Sequence, residues 1–175
     1  MIAVWIAGGL AVALGAFAAR FAGRIRARHR RFLRASAPEP RAGDDRILDQ
    51  PQALYHGTRF ADGVALLAPA WKDPCVADVW CTAEALFIRR EGQGATLSVA
   101  HSEVTEAALH RQFAPIAGKD LPMLRLRWSR GGEQLQTDLS LRGGVASLEA
   151  LRREIHLRQG NVAAQLAPLL ERPPP

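Results

Sequence analysis

The chain has 175 residues, a net charge of +6 at neutral pH and a hydrophobic fraction of 48%, which is enough for one folded domain of ordinary size and too little for two. Residues 1–50 hold nine arginines against four carboxylates, so +5 of the +6 lies there and the remainder is nearly neutral. A nucleic-acid-binding fold needs its basic patch on the folded domain, so this placement excludes nucleic acid as the expected partner and points to a membrane surface.

From Met1 to Ala19 (MIAVWIAGGLAVALGAFAA) no side chain is charged. As a helix this stretch reaches roughly 28 Å, against a bilayer core of about 30 Å. Residues 1–20 are therefore expected to form a single transmembrane helix, with Trp5 and Phe17 near the two interfaces. A cleaved signal peptide would carry its basic residues before the apolar run, whereas here seven arginines follow it. Ala16, Ala18 and Ala19 are the feature that resembles a cleavage site. The asymmetry predicts the N-terminus outside and the remainder in the cytoplasm, in the cell membrane.

Residues 21–34 continue as an arginine-rich juxtamembrane segment, in which Phe21, Ile25, Phe32 and Leu33 are interleaved with basic residues. Arg20, Arg24, Arg26, Arg28, Arg30, Arg31 and Arg34 are the candidate membrane-surface site. Each would contribute about 1 kcal/mol against anionic lipid headgroups within about a Debye length. The alternative role of the same residues is a stop-transfer signal that sets topology. Residues 35–51 shift to Ser, Ala, Pro, Gly and acids, which predicts a flexible tether.

The folded domain is expected over residues 52–159. Short runs of alternating apolar and polar residues, broken by glycines, predict about seven antiparallel strands. Leu54–Phe60 is the first. Val79–Thr82 turns through Ala83-Glu84 into Leu86–Ile88. Thr96–Val99 and Val104–Arg111 follow, and Leu124, Leu126 and Trp128 then turn at Gly131-Gly132 into Leu135, Thr137, Leu139 and Leu141, a hairpin with one buried face. After Gly143-Gly144 the period changes to that of a helix, with Val145, Leu148, Leu151 and Ile155 on one stripe and an end near Gly160. Residues 160–175 read as a C-terminal tail with at most a short helical turn around Val162–Leu166. Cys75 and Cys81 stand apart from any His or Cys cluster, so zinc spacing is absent; they read as two small buried hydrophobes, or as a disulfide in an oxidising compartment.

Seven strands followed by one C-terminal helix resembles the pleckstrin-homology-like superfold. The stretch ADVWCTAEALFIRR is similar to the strand, two-residue turn and Leu-Phe-Ile strand of bacterial PH-like and GRAM-type domains, and LSVAHSEVTEAAL to the strand pair that follows. The order of N-terminal helix, arginine collar and YHGT-like first strand is similar to small actinobacterial single-pass membrane proteins with PH-like domains, sometimes labelled transporters. The resemblance implies a mainly-β, partly open barrel with a C-terminal helix. Phosphoinositide-binding PH domains carry a basic cluster between their first two strands, where residues 61–74 offer Lys72 against Asp62 and Asp73, so the arginine collar is the better lipid candidate.

Enzyme signatures are weak. Tyr55-His56-Gly57-Thr58 resembles the His-Gly-Thr motif of ADP-ribosyltransferases, but those also need a downstream tyrosine and Tyr55 is the only one. His101, Ser102 and Glu103 are adjacent, and neighbours in a strand point to opposite faces, so they read as a polar corner rather than a triad. Gly92-x-Gly94 lacks the lysine and helix of a phosphate loop. His29, His56, His101, His110 and His156 are scattered. No catalytic residue, metal or cofactor is therefore expected. The leading expectation is a membrane-anchored, non-enzymatic docking module for a protein partner at the cytoplasmic face. The alternative is an accessory subunit of a membrane transporter or complex that associates through the glycine-containing first helix.

Overall fold

The computed structural model describes the backbone of residues 2–35, 37–41, 45–66, 69–92 and 96–170, without the side chains of 2–13, 69–70 and 161–170. The elements are α1 (Ile2–Arg34), β1 (Leu48–Phe60), a short α2 (Pro69–Lys72), β2 (Cys75–Cys81), β3 (Ala85–Arg90), β4 (Thr96–Ala100), a 3-10 turn (His101–Glu103), β5 (Val104–Ala114), β6 (Lys119–Arg130), β7 (Glu133–Ser140) and α3 (Gly144–Leu170). All seven strands join one antiparallel sheet in the order β4-β3-β2-β1-β7-β6-β5. This open, mainly-β sheet with a C-terminal helix is the arrangement the resemblance implied.

β1 is the hinge of the sheet. Its first part, Leu48 to Tyr55, pairs with β2, and its second, Leu54 to Phe60, pairs with β7. The register slips between Gln50 and Ala53 and again between Tyr55 and Thr58, and at these breaks Gln52 (φ 57) and Gly57 (φ 96) take left-handed backbone. Gly57 is required twice over. A Cβ there would also lie 2.4 Å from the carbonyl oxygen of Lys72, because α2 crosses directly above it. Gly57→Ala is expected to cost more than about 2 kcal/mol, since positive φ alone costs an alanine about 1–2 kcal/mol; a thermal melt of the full chain checks it.

Alternation places the core. Leu124, Leu126, Trp128, Leu135 and Leu139 are fully buried, and so are Leu148, Leu151 and Ile155 on the inward stripe of α3, which packs on β5, β6 and the 3-10 turn. Val145, expected on that stripe, is 52% exposed at the first turn of the helix. The polar side of β7 is covered as well: Gln136, Asp138 and Ser140 are buried, with Arg59 and Arg125 of the neighbouring strands on Asp138 and His56 on Ser140.

Two expected boundaries move. β1 begins at Leu48, inside the stretch read as tether, because Leu48, Asp49 and Gln50 pair with Cys81, Trp80 and Val79 and Ile47 N–H reaches Cys81 O at 2.9 Å. α3 runs past Gly160 to Leu170, a mid-helix glycine costing only about 1 kcal/mol. α1 is a single helix of 33 residues, so the arginine-rich segment continues it. Among the described residues no helix is long and apolar enough to cross a membrane, so the expected transmembrane helix at 1–20 is not found there. The described side chains of α1 begin at Leu14 and soon reach the arginines, and most of the apolar run lies outside them.

Candidate functional site

The C-terminal third of α1 is built into the folded domain. Ile25, Arg28, His29 and Phe32, at helical spacing, form its covered face, and Phe32 is 4% exposed within the main core. Its ring meets Trp128 edge-on at 6.0 Å. Arg28 Nε donates to Glu133 Oε2 at 2.7 Å, a second Arg28 nitrogen donates to Asp62, and the guanidinium lies 4.0 Å over the Phe60 ring. Arg31 donates to the other oxygen of Glu133. The β6–β7 turn makes room for this: a Cβ on Gly131 would stand 2.8 Å from Arg31 O, so glycine lets the helix backbone rest on the turn.

The seven-arginine surface is therefore divided. Arg28 and Arg31 are tied to carboxylates of the domain, whereas Arg20, Arg24, Arg26, Arg30 and Arg34 are exposed. The lysine-poor β1–β2 loop takes part through Asp62, an acid that accepts a cation from the chain's own helix.

Burial would raise the Glu133 carboxyl, but hydrogen bonds from Arg28 and Arg31 hold it below the ordinary glutamate value of 4.5. A depressed carboxylate contributes stability above its ordinary range and loses it as pH falls through the folded value. The clamp is accordingly expected to hold at neutral pH and to loosen below pH 4.5. Nitroxide labels at the exposed positions 30 and 134 should report a single short distance at neutral pH and a broadened, longer one in acid; a pH-independent distance would contradict the carboxylate's role.

Arg130 closes the seam between the sheet's outer strands. With a side chain only 4% exposed, it donates to Ser98 O on β4 at 2.7 Å and to both oxygens of Glu103, while Glu103 Oε2 accepts the Ala100 N–H at 3.0 Å. On the outer face, Asp138 of β7 accepts from Arg59 on β1 at 2.6 Å and Arg125 on β6 at 2.9 Å. Burial pushes this carboxyl up, and the hydrogen bond from Arg125 with the charge of Arg59 brings it below the usual range.

The enzyme-like strings resolve into structure. In Tyr55-His56-Gly57-Thr58 the Tyr55 side chain is fully buried, so it is not available to stack on a ligand. The Trp71 carbonyl can only accept, so Tyr55 gives its proton there (2.6 Å) and takes one from Thr58 (2.7 Å). Thr58 is bonded to Thr137 (2.8 Å) and Thr137 accepts from the Trp128 indole (3.0 Å), which satisfies the whole buried chain. His56 is partly exposed and bonded to Ser140 Oγ across the strands at 3.0 Å. Neither cysteine is in a disulfide. They end one seven-residue strand, roughly 20 Å apart, far beyond a disulfide's reach of about 6 Å. Cys75, only partly buried, accepts from Arg90 Nε at 3.0 Å.

Cys81 and His101, twenty positions apart, are brought to 3.6 Å. This is not a nucleophile and its base. His101 Nε2 donates to Thr82 O at 3.0 Å and has no lone pair left for the thiol, and burial pushes the Cys81 thiol up to about 12 and the imidazole down, leaving both neutral.

One surface with the shape of a binding site is the β5 edge. β5 ends the sheet, and its first carbonyl, Val104 O, is capped by Gln159 of α3. Beyond that point a groove of about 200 Å³ runs between β5 and α3, lined by Leu109, His110, Arg111, Pro122, Val145 and Leu148. Phe113 and Ile116, more than half exposed, flank the far end of the strand. Which strand ends the sheet beside α3 depends on strand order, which no local pattern encodes.

No family model and no curated protein matches the chain. Among solved structures it is similar to a chain of "The 8S snRNP Assembly Intermediate" (8% identity, TM-score 0.46, covering 71% of this chain and 88% of that one). It is also similar to the Vps36 N-terminal PH domain (14% identity, TM-score 0.45, covering 68% and 84%).

Proposed function

We propose that this chain is a non-enzymatic, PH-like docking module tethered to the inner face of a membrane, and that an extended segment of a partner protein pairs with β5. The observation that carries this reading is a terminal strand of the sheet flanked by an apolar groove: the backbone of β5 beyond Val104 offers ladder hydrogen bonds and the groove accepts an alternate side chain. The uncharged run from Met1 to Ala19 supports the tether. Tethering raises the domain's effective concentration beside membrane partners, so weak pairing suffices.

The exposed arginines complete the membrane contact. Along a helix standing upright from a boundary at Arg20, Arg24 and Arg26 lie about 6 and 9 Å from the interface, but Arg30 and Arg34 about 15 and 21 Å away, at 1.5 Å per residue. With a Debye length of about 8 Å, Arg20, Arg24 and Arg26 dominate the attraction to anionic headgroups.

Photo-crosslinking amino acids at Glu106 or Gln112 of the full chain in native membranes test the docking surface. The expected result is a discrete adduct with one partner, lost in Leu109→Glu. Adducts formed from the first helix and none from β5 would replace this reading with that of an accessory subunit assembling through its membrane helix.

A further inference from the structure

We propose that a second cavity, which shares Pro122 of its wall with the docking groove, binds a small amphipathic anion: a carboxylate or phosphate carried on an apolar body. The cavity has a volume of about 580 Å³, within the range of small-molecule sites. Its walls are apolar, with Leu54 of β1, Val76 of β2, Leu121 of β6 and Leu141 after β7. Its lining carries two cations, Lys119 and Arg142, against a single acid, Glu91. Neither cation has a carboxylate partner among the described residues, so both are available to an anion.

The backbone gives the independent argument. Gln52 lines the same cavity and is the only described non-glycine residue with positive φ. Left-handed backbone at a residue of this type is unfavourable, and such strain concentrates where side chains are held for a ligand. Its consequence here is visible: the Gln52 Oε1 accepts from Arg142 at 2.6 Å, which fixes the guanidinium in the lining and leaves its other nitrogens for an incoming oxyanion. Ser140 Oγ, also in the wall, already donates to Pro122 O at 3.0 Å and is bonded to His56, so it holds the wall in place. A neutral apolar ligand would leave both cations unused, and a free inorganic anion would leave the apolar walls uncovered.

The test uses the full chain in phosphatidylcholine nanodiscs, a photoactivatable decanoate analogue as probe, and peptide mapping of the adducts. Saturable labelling of peptides containing Leu54, Leu121 or Leu141 is expected, competed by decanoate and decyl phosphate and not by decanol. Lys119→Ala and Arg142→Ala, both at exposed positions, should each weaken labelling about tenfold, the size of one charge-assisted hydrogen bond. Gln52→Gly, which keeps the backbone and removes the strut, should weaken it less. Leu121→Trp, which fills the cavity, should abolish labelling at an unchanged melting temperature. Competition by discs doped with phosphatidic acid would identify a bilayer lipid as the source of the anion, and competition by free monoacyl anions alone a soluble one. Labelling that resists both cation substitutions, equal competition by decanol, or full competition by inorganic phosphate would each overturn the proposal.

Discussion

Phe32→Ala will unlatch α1 from the domain and lower the melting temperature of the full chain. The ring is 4% exposed and packed on Trp128, and removing a buried phenyl group of this kind costs about 3–5 kcal/mol. The loss is bounded by the free energy with which the helix end is docked, because the segment can undock locally while the sheet stays folded. Hydrogen exchange should therefore show faster exchange across residues 25–34 before any change in β6 or β7. Glu133→Gln should act in the same direction and by less, since it keeps the shape and removes the charge that Arg28 and Arg31 share. A Phe32→Ala chain with unchanged protection in this segment would mean that the contact holds nothing.

Arg130→Ala will be about as costly, for a different reason. The guanidinium is nearly inaccessible, and its loss leaves the buried Ser98 carbonyl and the partly buried Glu103 carboxylate without their main partner. Removing one member of such a pair costs about 3–5 kcal/mol. Arg130→Ala with Glu103→Ala should cost less than the arginine substitution alone, because the stranded carboxylate is gone; a double-mutant cycle by chemical denaturation measures the difference. Strict additivity would show that the pair is not coupled.

These two sites differ in how far they could be read from the chain. Phe32 sits in an arginine-rich run beside an apolar helix, where the local pattern favours a headgroup-lying segment. Its assignment to the core depends on a turn about one hundred residues away: Arg28 and Glu133 are separated by 105 positions. Arg130 reads as one more outward charge near a hairpin turn, and only the curl of the sheet that brings β4 against β6 makes it buried. The β5 groove and the cavity beside Gln52 have no linear signature, because each draws its walls from several elements that meet only in the fold.

By itself the sequence determined the seven strands, the terminal helix and the concentration of positive charge near the N-terminus. Alternation and helical spacing are records of burial along each segment, and net charge needs no geometry at all. The tertiary structure alone decided that two of the seven arginines are internal clamps, that the Tyr-His-Gly-Thr string supports a buried hydroxyl chain, and that β5 is the edge beside α3. Each of those depends on which distant backbone lies opposite, and a short-range pattern carries no information about its partner across the sheet.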